Sequence, residues 1–399
     1  MVMSIYKEKL LDEIARDNIP FIPNQLERVG SIFNTVQGRY TLIGSVSGVG
    51  KTSVVDDMMI LKPYNWLINT KSKLHFETLY FSMERQIKFK LAKFVSWKLY
   101  NDKGIRISSD TILGYTQNRV LSASENKLLE SFQPWMDDLL ELVDIKDGAK
   151  SVADISFEIE KLRKKLGTLI TTDNNAVYVN GVQQFKFKGL VKETKRSNIP
   201  IVKFKFKDKS YELEQNDKRY ILHEPNTIVQ IVIDHIGKTK IDGYANKKLA
   251  IDGLDEVLCN ARDLYNFNPV AISQFNRSLS DMARLKYSKG NLEPMYEDFK
   301  DTGNPVESAD LVLSLFDPYK YQSYDSKGLY KGYDIAQGMV APNGAQRFRS
   351  LHIIKHSFGV SNVTFGLKFM GESMHFITLP KASEYNKLQK IYEEVAKGN

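Results

Sequence analysis

The chain reads as an α/β protein with a mostly parallel sheet and a small antiparallel β module set into it. Three observations predict this. Short apolar runs at 39–43, 78–82, 228–233 and 269–273 alternate with longer segments of helical period. Runs of that length, separated by helices, are the pattern of strands joined by crossover helices. A Gly/Ser-rich turn stands between the first run and the first of those helices. From 167 to 226 the rhythm changes to period two, which is strand alternation without intervening helices.

The elements follow in order. Residues 4–17 place Ile5, Leu10, Leu11 and Ile14 near one helical face among charges, and Pro20 and Pro23 end the pattern. Arg39–Ile43 is a strand, and a helix runs from about Lys51 to Ile60. Thr78–Ser82 is a second strand, followed by a long helix through Tyr100. Mostly polar helical segments continue to about Lys165. The run Ile228–Ile233 is a third strand, 248–266 a helix, and Pro269–Ser273 a fourth strand. Asp310–Phe316 and Leu351–Lys355 read as two more. Inside 167–226, the alternation Val202-Lys-Phe-Lys-Phe-Lys207 and turn signals at Asn174-Asn175, Asn180-Gly181 and Asn216-Asp217 predict three to five antiparallel strands. The organisation expected is an N-terminal helical segment 1–29, a core of 30–166 and 227–380, the insert 167–226, and a helical tail 381–399.

Composition narrows the function classes. With 399 residues, 42% of them apolar and 26% charged, the chain is neither disordered, collagenous nor a coiled coil. A single cysteine, Cys259, excludes a disulfide framework and an all-Cys zinc site, and reads as a small buried thiol. The six histidines have no metal-ligand spacing, so none is assigned chemistry. No secretory h-region and no apolar run of about 18 residues is present, which predicts a cytoplasmic protein without a membrane partner. The net charge of +8 permits a polyanionic partner. The insert alone carries eleven Lys/Arg against seven Asp/Glu, half of that excess, so net charge by itself is a weak argument for DNA.

The sharpest motif is Gly44-Ser-Val-Ser-Gly-Val-Gly50-Lys51-Thr52, which follows a strand and opens a helix as a phosphate-binding P-loop must. Ser47, Gly48, Val49, Gly50, Lys51, Thr52 and Ser53 are the residues expected to hold the nucleotide. Lys51 would bridge the β- and γ-phosphates, and the Thr52 hydroxyl would ligate Mg²⁺. The strict pattern places its first glycine where Ser45 stands; Gly44 is one position early. Asp234 ends the third strand, where a carboxylate can sit beside Mg²⁺, although a strand-terminal Asp also caps turns. Glu84 follows the second strand and could serve as general base, or simply favour the first turn of a helix. Gln274 ends the fourth strand, where its amide could sense the γ-phosphate.

At these residues the chain resembles the RecA-like ATPase domain of DnaB-type replicative helicases. The resemblance covers about 30–166 and 227–380. Phe81-Ser-Met-Glu84 is similar to the family's element whose glutamate activates water, and Ile231-Val-Ile-Asp234 to its Mg²⁺-side strand. Ala271-Ile-Ser-Gln-Phe-Asn-Arg-Ser-Leu279 resembles the family's Ser-Gln-Leu-Asn-Arg-Ser-Leu signature, followed in order by Phe299-Lys-Asp-Thr-Gly303 and Glu307-Ser-Ala-Asp-Leu311. The resemblance implies a RecA-like P-loop NTPase core, ATP and Mg²⁺ as ligands, and a helicase activity in DNA replication. It also implies a homo-oligomeric ring, a hexamer, around single-stranded DNA, with a primase or loader as further partner.

By the same resemblance the loop 280–302 would face the channel. Arg277, Arg284, Lys286 and Lys289 are the expected DNA contacts, with Tyr287 for stacking. Lys355 would reach a neighbouring subunit's nucleotide. Ser357 stands where the family has its finger arginine, and Arg347 and Arg349 lie near enough in sequence to be candidate substitutes. The family's helical N-terminal domain is not expected. The 4–17 helix is read as a linker docking on a neighbour or as a helix on its own domain. The alternating lysines of the insert either track a nucleic-acid backbone or form a solvated sheet face. Two other functions stay open: a recombinase-like or clock-type ATPase that assembles without unwinding, and a nucleotide-binding adaptor.

Overall fold

The computed structural model describes residues 20–398 except 118, 174–175, 187–200, 207–208, 215, 277–278, 280–281, 289–290 and 300–302. The expected helix at 4–17 lies outside the described residues. Nine strands form the main sheet: β1 (Thr41–Ser45), β2 (His75–Ser82), β3 (Val143–Asp147), β4 (Thr227–Asp234), β5 (Asn268–Gln274), β6 (Leu311–Phe316), β7 (Phe348–His356), β8 (Val363–Met370) and β9 (His375–Thr378). Their order is β9-β8-β7-β6-β1-β5-β4-β2-β3. From β6 to β3 every pairing is parallel. From β6 to β9 every pairing is antiparallel.

Period-two alternation explains why the parallel strands read as continuous apolar runs. In β4, Ile231 and Ile233 join one core, with Leu79, Ile155, Leu254 and Leu258. Val232 points the other way, into a second core with Tyr80, Val54, Met58 and Trp97. Every residue of β1 and β4 is buried because helices cover both faces. The first core is covered by α4 (Val152–Leu166) and α5 (Lys247–Tyr265). The second is covered by α1 (Lys51–Val55), a π-helical turn (Asp56–Leu61), α2 (Lys62–Thr70) and α3 (Ile87–Lys103). The tail helix α6 (Tyr385–Ala396) sends Leu388 and Val395 into the first core.

Three strands of the main sheet fall outside the sequence expectation. β3 lies at the sheet edge and alternates charge with apolar residues, so it reads as part of a polar helical stretch. β8 and β9 extend the other edge. In β8 a glycine and a charged residue interrupt the apolar run. A side chain at Gly366 would put its Cβ 2.9 Å from the Tyr333 ring, and Lys368 reaches Glu394.

The insert is antiparallel, as its alternation requires, and has six described strands rather than three to five. Gly167–Thr172, Ala176–Val179, Val182–Lys186 and Lys218–Leu222 form one sheet; Ile201–Phe206 and Lys209–Glu214 form a separate antiparallel pair. Asn180 and Gly181 both take positive φ, +50° and +81°, the requirement of a tight two-residue hairpin turn. Arg163 of α4 anchors the module, donating to Asn180 Oδ1 at 3.0 Å and accepting at its carbonyl from the Tyr220 hydroxyl at 2.7 Å. Among the described residues no helix is long and apolar enough to cross a membrane.

Candidate functional site

The central strand β1 runs into the loop 46–50, and α1 begins at Lys51. Gly48 (φ +81°) and Gly50 (φ +109°) occupy backbone conformations that a side chain strains. No side chain caps the start of α1, so its first N–H groups have no side-chain acceptor. Gly44 belongs to the strand. A Cβ there would lie 2.4 Å from the rings of both Phe275 and Phe299, which pack edge to face. The early glycine is therefore a packing requirement beneath the loop, and Ser45 ends β1.

Parallel strands deliver their C-terminal ends to one edge, and the candidate residues gather there. The Thr52 hydroxyl donates to Asp234 Oδ1 at 3.1 Å, joining the start of α1 to the end of β4. Asp234 Oδ2 accepts from the Tyr80 hydroxyl at 3.1 Å. Lys90 lies below. Its ammonium contacts both oxygens of the fully buried Asp56 at 3.0 Å, donates to the Tyr80 hydroxyl at 2.5 Å, and stands 3.6 Å from Asp234 Oδ2. Burial pushes the Asp56 carboxyl up, and Lys90 opposes the shift. Burial also holds Tyr80 well above the usual phenol range, so it remains a donor.

Glu84 follows β2, and its Oε1 lies 3.2 Å from His235 Nε2. His235 Nδ1 accepts from the Gly237 N–H at 3.1 Å, which leaves the ring proton on Nε2 to donate to Glu84. Burial lowers the His235 pKa against the pull of Glu84, which favours the neutral ring. Sequence reasoning passed over this histidine. The only signal was its place directly after the strand-terminal Asp234.

One cavity of about 600 Å³ unites these groups; it is lined by Ser47, Gly48, Gly50, Lys51, Thr52, Ser53, Glu84, Asp234 and Gln274. Val49 turns its side chain into the core and is not among the residues that line the cavity. Arg85, Lys93 and Lys238 line the same cavity and were also missed; burial lowers the Lys93 pKa. A cavity edged by so many cations and loop N–H groups suits a polyanion.

No family model and no curated protein matches the sequence. Solved structures do match the fold. One, described as an ATPase domain, superposes with a TM-score of 0.56 at 14% identity, covering 95% of this chain and 97% of that one. A DnaB-like replicative helicase, solved for its interactions with primase, gives 0.59 at 13% identity, covering 95% of this chain and 68% of that one. The fold is that of a DnaB-like helicase ATPase domain.

Within this DnaB-like fold the remaining expected residues lie away from the cavity. Lys355, near the end of β7, donates to the carbonyls of Glu307 at 2.5 Å and Val306 at 3.5 Å. Arg347 forms a two-pronged pair with Glu372 at 2.5 and 2.8 Å, and Arg349 donates to the Val49 carbonyl at 2.9 Å. Both arginines are buried. In the loop expected to face DNA, Arg284 pairs with buried Asp298, at 2.9 Å for one contact, and donates to the Glu293 carbonyl at 2.6 Å. Lys286 and Tyr287 are exposed on the helix Met282–Ser288. Arg277 and Lys289 lie outside the described residues.

Proposed function

We propose that the chain is an ATP-dependent DNA helicase or translocase motor of the DnaB type, acting as a hexameric ring on single-stranded DNA in replication. The observation that carries this reading is the convergence of Lys51, Thr52, Asp234, Glu84 and Gln274 on one cavity at the C-terminal edge of the parallel strands. Lys51 and the loop N–H groups hold the phosphates. Glu84 orients the attacking water and accepts its proton at a carboxylate oxygen, while His235 Nε2–H fixes the other side of that carboxylate. Gln274 offers its amide to the γ-phosphate.

Thr52 and Asp234 present hard oxygen donors side by side and would hold a magnesium ion. That ion, when bound, neutralises charge on the transferring phosphoryl group. Lys286 and Tyr287 would meet the DNA backbone and bases. Arg277 and Lys289 join them in this reading, and Arg284 contributes either directly or by shaping the loop through Asp298. A primase or loader is the further partner proposed.

The test is ATP hydrolysis with and without single-stranded DNA, together with unwinding of a forked duplex. The reading expects DNA-stimulated turnover that Lys51→Ala abolishes. Turnover indifferent to both DNA and Lys51→Ala would sink it.

A second reading keeps the ATPase and drops unwinding, as in a recombinase-like or clock-type assembly. Ser357 at the finger position favours it, as does the internal pairing of Arg347 and Arg349. ATP-coupled fork unwinding would exclude it.

A further inference from the structure

The two glycines that let the phosphate loop bend also leave it free to bend otherwise. Something outside the loop has to hold it, and the described structure contains such a device. Lys320, on the segment after β6, donates from Nζ to the Ser47 carbonyl at 3.1 Å. Arg349, at the start of β7, donates from Nε to the Val49 carbonyl at 2.9 Å. One carboxylate touches both residues, the backbone of Lys320 and the guanidinium of Arg349. Asp317 Oδ1 accepts the Lys320 backbone N–H at 3.2 Å, and Asp317 Oδ2 pairs with Arg349 Nη1 at 3.2 Å. The Arg349 guanidinium also lies 5.2 Å from the centre of the Phe369 ring, which packs beside Gly50. Arg349 and Asp317 are each 7% exposed, whereas Lys320 is at the surface.

We propose that Asp317, Lys320 and Arg349 form a clamp that presets the phosphate loop for its anion. The reasoning is geometric. In a trans peptide the C=O of one residue and the N–H of the next point in opposite directions. Cations drawing the Ser47 and Val49 carbonyls to one side therefore turn the Gly48 and Gly50 N–H groups to the other, which is the cavity side. The clamp also leaves one net positive charge behind the loop, which favours a polyanion in front of it. All three are positioning residues, since none touches the reacting atoms. The inference rests on the cavity being a nucleotide site, as proposed above.

Binding of a fluorescent ATP analogue with Mg²⁺ tests it, followed by steady-state ATPase. Arg349→Met should weaken binding about tenfold, the scale of one charge-assisted hydrogen bond, and raise KM with kcat at saturation largely kept. Arg349→Lys should recover part of the loss. Lys320→Met, a surface change with little bearing on folding, should weaken binding roughly two- to threefold at low salt and less at high salt. Wild-type affinity in folded Arg349→Met and Lys320→Met would overturn the clamp alone. Failure of the wild type to bind, or binding unaffected by Lys51→Ala, would overturn the nucleotide site and the clamp with it.

Discussion

Two histidines, one buried and one largely enclosed, predict that the fold weakens steeply below neutral pH. His352 lies within β7, 5% exposed, with Nε2 2.9 Å from Ser350 Oγ and Nδ1 3.1 Å from Thr364 Oγ1. Burial lowers its pKa from 6.5 to about 3. His375, against Trp97 and Tyr100, is lowered by burial to about 4 despite the opposing pull of Asp57. A histidine depressed in the folded state takes up protons first in the unfolded chain. The stability it supports is therefore complete above about pH 6.5 and is lost as pH falls toward the folded value. At pH 5 the unfolded chain gains about 2 kcal/mol from each ring relative to pH 7, roughly 4 kcal/mol for the pair. That is a large share of a typical stability of about 5–15 kcal/mol. Urea unfolding at pH 7 and pH 5 measures the drop. His352→Gln keeps polar contacts to both hydroxyls and removes one titration, so the pH-dependent loss should shrink by about 2 kcal/mol. An undiminished loss in that variant, with His375 unchanged, would refute the reasoning.

Two further outcomes follow from the buried groups around Asp234. Lys90→Met strands Asp56 without its cation and should cost about 3–5 kcal/mol in denaturant unfolding; a loss under about 1 kcal/mol would show that Asp56 is already neutral. His235→Phe keeps a ring of similar shape and removes the donor to Glu84. It should lower kcat about tenfold with KM for ATP unchanged, and a folded variant with kcat within about twofold of wild type would remove His235 from the reading.

The parallel core was legible because burial on both faces forces unbroken apolar runs, so β1, β2, β4, β5 and β6 all announce themselves. Edge strands obey no such rule. β3 alternates charge with apolar residues, and β8 carries Gly366 and Lys368, each explained only by a partner far along the chain. The loop motif was legible from glycine spacing, but the reason for Gly44 was not, because Phe275 and Phe299 meet it only after folding. His235 was invisible for a related reason. Its role comes from the Gly237 N–H on one ring nitrogen and Glu84 on the other, and only the pairing of β2 with β4 brings Glu84 within reach. The clamp is likewise assembled from β1, β6 and β7, distant in sequence and adjacent in the sheet.

The placement of cations bears on how hydrolysis could be triggered. Lys51, Arg85, Lys93 and Lys238 line the cavity from within the chain. Neither arginine near the finger position is free to reach a neighbouring site. Freeing Arg347 would break its two-pronged pair with Glu372, and withdrawing Arg349 would release the Val49 carbonyl and unpair Asp317. The Arg349–Asp317 pair is buried on both sides, so breaking it costs on the order of 3–5 kcal/mol; Glu372 is partly exposed, so freeing Arg347 costs less but still forfeits a two-pronged pair. Lys355 carries no such penalty, because its partners are the carbonyls of Val306 and Glu307, which water can replace at that half-exposed position. In the ring proposed above, each chain would therefore reach across its interface with lysine, a point charge, where the resemblance leads one to expect arginine's planar fork. The remaining positive charge at the γ-phosphate would come from each chain's own side of the site.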